Sequence, residues 1–277
     1  MGQYPFHVFN FHLTEKCNYQ CKYCFAKFNN QSELNLKQWK EAVDLTNQYF
    51  IRNNIRNGRI NLAGGEPLIL PFLDELIDYI HSLDIIVSII TNASLLTEEK
   101  IQKWIGKVDT IGVSIDSINY KTNLKIGRHN NGQVIDVENI ISLLQLAKKN
   151  NIKVKINTVV SALNINERID QIYKRVQPDR IKILQMRVNQ NCNEHSIMLQ
   201  TSDEDFHKHC RYLNNYQNVV IENSQELECS YLIVDSMGNM LSNKNNVQNI
   251  VGNILKDDIE KMIDAAEINH FTYAKRY

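Results

Sequence analysis

Between residues 7 and 185, short runs of β-branched and apolar residues alternate six times with stretches of helical period, and few folds accept that rhythm. Strands are expected at 7–13, 59–63, 85–91, 110–116, 153–159 and 179–185. Helices are expected between them. The first starts near Leu36 with apolar Leu36, Trp39, Val43, Leu45 and Tyr49; others lie at 72–83, 136–150 and 165–176, and one begins after Thr97, an N-cap ahead of Glu98 and Glu99. Connections this short force the strands parallel, with helices covering the sheet. A partial (β/α) barrel and a doubly wound sheet both satisfy the pattern. After residue 186 the rhythm breaks, leaving a helix near 203–213, a hairpin at 231–241 turning at Met237-Gly238-Asn239, and a helix at 256–266. The chain is therefore expected to divide into an α/β unit at 1–186 and a C-terminal α+β extension at 187–277.

Lys+Arg and Asp+Glu are both 31, so no global field attracts nucleic acid or an anionic membrane. At 277 residues and 43% hydrophobic the chain buries a sizeable core, yet its longest apolar runs are too short to cross a bilayer. Its first residues, Met1 to His7, lack the pattern of a signal peptide, and a cytoplasmic location is expected. The six cysteines agree: three crowd into eight residues while Cys192, Cys210 and Cys229 are scattered, which suits a metal site in a reducing compartment better than a disulfide scaffold.

The crowded segment is Cys17-Asn18-Tyr19-Gln20-Cys21-Lys22-Tyr23-Cys24. Three thiolates this close ligate three irons of a 4Fe-4S cubane and leave the fourth open. That open iron can chelate the amino and carboxylate groups of S-adenosylmethionine. A structural zinc site would need a fourth ligand; His7 and His12 are nearby, but His12 would have to turn back from the first strand. C-x3-C-x-aromatic-C after a first strand, with Gly64-Gly65-Glu66-Pro67 after a second, resembles the radical S-adenosylmethionine (radical SAM) superfamily. The resemblance implies a partial (β/α)6 radical SAM barrel whose cluster cleaves S-adenosylmethionine to a carbon radical. It implies that Gly64, Gly65, Glu66 and Pro67 meet the methionine end of the cofactor, with Glu66 on its ammonium. It also assigns cofactor contacts to Tyr23, Asn92, Ser114 (with Asp116 beside it) and Arg128, the last on the carboxylate.

Side chains alternate across a strand, so Lys155 and Asn157 share one face while Val154 and Ile156 share the other; Arg180 and Lys182 likewise oppose Ile181 and Ile183. The apolar face must pack on helices, which turns the cations to the lumen. Arg59 and Asn61 join them from the second strand, whereas Lys153 lies near a strand end and can snorkel to water. Buried cations without partners imply an anion, and several converging ones imply a polyphosphate.

These motifs, with Asn10-Phe11-His12-Leu13-Thr14, Asn61-Leu62-Ala63, Ser114-Ile115-Asp116-Ser117, Ile126-Gly127-Arg128, Lys155-Ile156-Asn157 and Ser230-Tyr231-Leu232-Ile233, resemble viperin from about residue 7 to 260. The resemblance implies a radical SAM lyase that dehydrates CTP, UTP or GTP to its 3′-deoxy-3′,4′-didehydro analogue, a chain terminator in antiviral defence. It makes Asn10, Arg59, Asn61, Lys155, Asn157, Arg180 and Lys182 the triphosphate cradle. Tyr231 would lie near the ribose as an electron or proton relay, and a flavodoxin- or ferredoxin-type protein would supply electrons. Three departures stand out: no amphipathic membrane helix, Arg59 and Ala63 in place of Lys and Ser, and a chain that stops at Lys275-Arg276-Tyr277 where relatives carry a longer tail. A peptide-modifying radical SAM enzyme is a rival, but Cys192, Cys210 and Cys229 form no auxiliary cluster motif. A non-catalytic Fe–S nucleotide sensor is another. The base is open, with Gln185, Met186 and Arg187 as candidate lining.

Overall fold

The computed structural model describes residues 6–25 and 32–276; Met1 to Pro5, read above for a targeting signal, and Tyr277 lie outside them. All six expected strands are present: β1 (Val8–His12), β2 (Arg59–Ala63), β3 (Ile86–Thr91), β4 (Val108–Ser114), β5 (Lys153–Val160) and β6 (Arg180–Gln185). Each pairs in parallel with the next. The connecting helices are α1 (Leu36–Arg52), α2 (Leu73–Ser82), α3 (Glu98–Trp104), α4 (Tyr120–Ile126), α5 (Val137–Lys149) and α6 (Asp170–Val176).

Helix α1 starts at a capping box in which Asn35 and Gln38 satisfy each other's backbone N–H. It buries Trp39, Ala42, Val43, Thr46, Tyr49 and Phe50, whereas Leu45 reaches only the margin of the core. Helix α4 was not legible as a periodic stretch. It is short, capped by Asn119 and stopped by Gly127 at φ 89°. Helix α6 begins at Asp170 rather than at 165.

The sheet does not stop at β6. A parallel strand β7 (Val219–Glu222) follows helix α7 (Asp203–Cys210) and joins β6. At the other edge β8 (Leu232–Val234) pairs in parallel with β1, then β9 (Asn239–Ser242) and β10 (Asn249–Asn253) complete the order β10-β9-β8-β1-β2-β3-β4-β5-β6-β7. The expected hairpin is β8–β9, antiparallel, with Gly238 at φ 83° in its turn. Helices α8 (Ile259–Ala266) and α9 (His270–Ala274) end the described chain. Residues 187–276 thus extend the same sheet at both edges.

Lys182 in β6 touches Tyr231, the residue before β8. Six strand steps separate β6 from β8, about 29 Å in a flat sheet. The sheet must therefore curl into a partial barrel. Phe9, Phe11, Ile60, Leu62, Val154, Ile156, Ile181 and Ile183 are fully or almost fully buried on its helix side, at about 1.5–3 kcal/mol each. The intervening residues Asn10, Asn61, Lys155, Asn157 and Lys182 line the lumen.

Candidate active site

The cysteine loop leaves the carboxyl end of β1, where ligand sites of parallel α/β folds lie. Two glycine turns frame it. Gly65 N donates to Thr14 O at 2.6 Å and Glu66 N to Lys16 O at 2.9 Å. A Cβ on Gly65 would stand 2.1 Å from Lys16 O, and Gly64 has φ 134°. The glycines are therefore demanded first by the cysteine loop itself, a reason additional to the cofactor approach assigned to them above. On the far side Lys22 N donates to Ile126 O at 2.9 Å, and a Cβ on Gly127 would meet Gln20 O at 2.1 Å.

Cys17, Cys21 and Cys24 are half-buried. Donors face their sulfurs: Tyr19 N at 3.3 Å and Asn92 Nδ2 at 3.7 Å from Cys17 Sγ, and Arg128 Nη1 at 3.9 Å from Cys21 Sγ. Hydrogen bonds of this kind steady thiolate ligands and tune a cluster. Burial pushes the Cys21 thiol up to about 12, with Arg128 opposing. Three thiols with N–H donors toward two of them fit a 4Fe-4S cluster. Among the described residues no group of three or more His, Cys, Asp or Glu is gathered round one metal position. His12 lies within β1 rather than in the cysteine loop, and burial lowers its pKa to about 4.

Glu66 is wholly buried and knits the strand ends together. Its Oε1 accepts from Leu68 N at 3.1 Å and Thr91 Oγ1 at 2.7 Å, its Oε2 from Asn92 N at 2.7 Å. A carboxylate has about four acceptor positions, so one on Oε2 is left for a ligand ammonium. Burial raises its pKa, against those three hydrogen bonds. Asn92 also serves the loop, donating to Asn18 Oδ1 at 2.9 Å. Tyr23 packs inward on Ile126 and Met186 and donates its hydroxyl to Asp116. Asp116 in turn pairs with Arg128 at 3.1 Å and accepts from Val159 N at 2.7 Å. Despite burial, Asp116 and its neighbours hold Arg128 firmly protonated. Arg128 also donates to Ser114 O at 2.5 Å, so Ser114 anchors it through its backbone.

Below this ring lies the cationic wall. Pairing sets Lys155 beside Arg180 and Asn157 beside Lys182. Asn61 Nδ2 donates to Asn10 Oδ1 at 2.8 Å, and Asn10 Nδ2 to Leu232 O at 3.0 Å. The expectation is one of cations without partners, and among the described residues Lys155 and Arg180 make no salt bridge. It is corrected for Arg59, whose Nη2 is 3.0 Å from Asp109 Oδ2 while Lys153, facing solvent, takes the other oxygen at 3.0 Å. It is corrected also for Lys182, which pairs with Glu222 at 2.8 Å. Burial, with Lys182 and Arg180 nearby, lowers Lys155 to about 7; burial lowers Lys182 to about 8, with Glu222 resisting. Tyr231 meets Lys182 and Glu222, which puts it among these cations.

Glu222 and Arg276 are the residues that the sequence did not offer. Neither belongs to a motif, and β7 is too short to show a period.

Of the candidates for a base pocket, Gln185 is committed within the protein: it donates to Thr201 O at 3.1 Å and Asp203 Oδ1 at 2.9 Å and accepts from Ser224 N at 2.8 Å. Met186 packs on Tyr23. Arg187 donates to Asn246 Oδ1 at 2.7 Å and borders a cavity of about 700 Å³ with Gln190, Gln200 and Ser224. Cys192, Cys210 and Cys229 lie in separate elements with no shared site.

A three-cysteine loop with a glycine turn at the mouth of a curled parallel sheet defines a class, and comparison agrees: residues 11–176 match the Radical SAM superfamily, to which the chain belongs. The solved structure of SuiB from Streptococcus suis shares the fold, with a TM-score of 0.69 over 97% of this chain and 67% of that one at 16% identity. Within the superfamily the chain belongs with the S-adenosylmethionine-dependent nucleotide dehydratases, the viperin family. A protein of that name from Selenomonas ruminantium is 34% identical over 97% of both chains. Another, from a Thermoplasmatales archaeon, is 30% identical over 83% of this chain and 80% of its own.

Proposed function

We propose that this protein is a radical SAM lyase that removes water from a nucleoside triphosphate (CTP, UTP or GTP) to give the 3′-deoxy-3′,4′-didehydro analogue, an antiviral chain terminator. The observation that carries this reading is the pair Lys155 and Arg180, cations without a salt-bridge partner among the described residues, on the wall below the cysteine loop. Both stand five residues before the last residue of their strands, roughly 16 Å inside the barrel. A ligand lying along the lumen then has its phosphates deep and its sugar near the loops.

When bound, the cluster and S-adenosylmethionine supply a carbon radical that takes a hydrogen from the ribose. Cys17, Cys21 and Cys24 hold the cluster, Glu66 takes the cofactor's ammonium on its remaining lone pair, and Arg128 its carboxylate. Gly64, Gly65 and Pro67 shape that turn, while Tyr23, Asn92 and Ser114 brace it from behind. Lys155, Arg180 and Lys182 bind phosphate oxygens, Asn10, Asn61 and Asn157 orient them, and Arg59 acts more weakly because Asp109 holds it. Fixing the phosphates fixes the ribose, which converts a collision into a positioned reaction. Tyr231, joined to Lys182, relays the proton that the departing hydroxyl needs. A flavodoxin- or ferredoxin-type protein donates electrons. Three cysteines crowded in one loop and three scattered singly suit a metal site in a reducing compartment, and we assign the enzyme to the cytoplasm. Among the described residues no helix is long and apolar enough to cross a membrane.

Supplying CTP, UTP, GTP and ATP separately to the reconstituted protein with S-adenosylmethionine and dithionite tests this. One nucleotide should yield a product lighter by one water together with 5′-deoxyadenosine. A sensor would bind but form no 5′-deoxyadenosine, and 5′-deoxyadenosine indifferent to nucleotide would point to a peptide substrate.

Affinity for the nucleotide should fall with pH. Lys155 at about 7 and Lys182 at about 8 bind phosphate only when protonated, and phosphate raises both again. Binding therefore takes up protons above pH 7, and affinity drops by up to about tenfold per pH unit for each proton. The terminal phosphate, with its last pKa near 6, is already ionised there. Calorimetry from pH 6 to 9 checks this; flat affinity contradicts it.

A further inference from the structure

β7 and β8 end the continuous parallel run on opposite sides, and no strand pairing joins them across the curled sheet. Side chains close that seam instead. Glu222, the last residue of β7, accepts from Arg276 Nε at 2.7 Å and pairs with Lys182 Nζ at 2.8 Å through Oε1, and accepts from the Tyr231 hydroxyl at 2.6 Å through Oε2. Arg276 Nη1 donates to Ser230 O at 2.7 Å, its other terminal nitrogen to Glu226 O, and its guanidinium lies 4.0 Å from the Tyr231 ring centroid. Glu222 and Arg276 are each 3% exposed. Tyr273, near the end of α9, accepts from Val8 N at 2.8 Å and His7 N at 3.0 Å, which docks α9 on β1 and delivers Arg276 to the seam.

A buried carboxylate in a lumen built for an anion needs a reason, because it repels the ligand and is costly to desolvate. Arg276 removes the repulsion: one carboxylate between two cations leaves the cluster net positive toward the lumen. Arg276 spends three of its five N–H donors on Glu222, Ser230 and Glu226, which turns its guanidinium toward the protein rather than the lumen. What remains is order. A lysine side chain that is not held samples many rotamers, and a phosphate would otherwise have to overcome that entropy.

We propose that Glu222, seated on Arg276, is a positioning residue for the phosphate end of the substrate, fixing Lys182 Nζ and Tyr231 Oη as one wall of the cradle. This rests on the nucleotide reading above. The charged groups around Lys182 are Glu222 on the neighbouring strand β7, Arg276 across the seam, and Arg180 and Lys155 beside it. Burial, opposed chiefly by Glu222, sets its proton affinity.

Charge alone predicts that Glu222→Gln tightens anion binding; positioning predicts the reverse. Calorimetry with inorganic tripolyphosphate on the cluster-loaded protein separates the two. Glu222→Gln, and the paired Glu222→Gln/Arg276→Gln variant that removes the buried carboxylate together with the guanidinium seated on it, should each weaken binding about tenfold or more. The loss of affinity with rising pH should also begin at lower pH in Glu222→Gln, because Lys182 loses the partner that favours its charge. A scaffolding defect would not move that limb. Melting curves confirm folding, and the paired variant decides the matter if the single one is unstable. Unchanged or tighter binding in a folded variant overturns this inference and leaves the nucleotide reading standing. Wild-type protein that binds neither tripolyphosphate nor nucleotide overturns both.

Discussion

A Cys21→Ala variant takes up no 4Fe-4S cluster and forms no 5′-deoxyadenosine, while its melting curve stays close to that of the wild-type apoprotein. Cys21 contributes its sulfur to the site and its backbone to the loop. Its carbonyl accepts from Cys24 N at 3.0 Å, and that bond survives the substitution. The side chain lies at the edge of a small apolar cluster with Tyr23, Ile126 and Met186, separate from the main core, so trimming it leaves the barrel intact. Cys17 and Cys24 cannot substitute, because a cubane held by two thiolates loses its third anchor. Cys192→Ser is the control: that thiol faces Gln248 Oε1 at 3.3 Å, in the loop after β6, and iron content should stay near four per chain. Iron and sulfide analysis with visible absorption reads both variants. A Cys21→Ala protein that still carries a four-iron cluster would remove the loop from the mechanism.

Lys155→Met should raise the Kd for nucleotide by roughly 10- to 150-fold, the value of about 1.5–3 kcal/mol for a hydrogen bond to a charged group. Met preserves the length and apolar stem and removes only the ammonium. The fold should tolerate the change and gain from it, because Lys155 is held near pKa 7 by burial beside Lys182 and Arg180. Loss of affinity with gain of stability is the signature of a residue kept for a ligand. Arg59→Met provides the contrast. Arg59 already pairs with Asp109, which Lys153 also holds, so its removal should weaken nucleotide binding less. Equal losses for the two variants would show that Arg59 leaves Asp109 when substrate arrives.

The barrel was legible because its strands are five to eight residues long and alternate against amphipathic helices; Lys155-Ile156-Asn157 shows the alternation directly. The cysteine loop was legible because three ligands sit within one loop. What closes the barrel was not. β7 and β8 have four and three residues, too few for a period, and β8 finds β1 across more than 200 positions of sequence. The partners of the cations were hidden for the same reason: Glu222 and Asp109 look like ordinary surface carboxylates until the fold brings them to Lys182 and Arg59. Tyr231 shows the limit of motif reading, since its position in the cation cluster depends on a contact across the seam.

The most direct test uses the preferred nucleotide with deuterium at C4′ of the ribose, in anaerobic turnover with S-adenosylmethionine and dithionite. Deuterium should move into 5′-deoxyadenosine as a nucleotide lighter by one water appears. Unlabelled 5′-deoxyadenosine, formed at the same slow rate with or without nucleotide, would contradict the account.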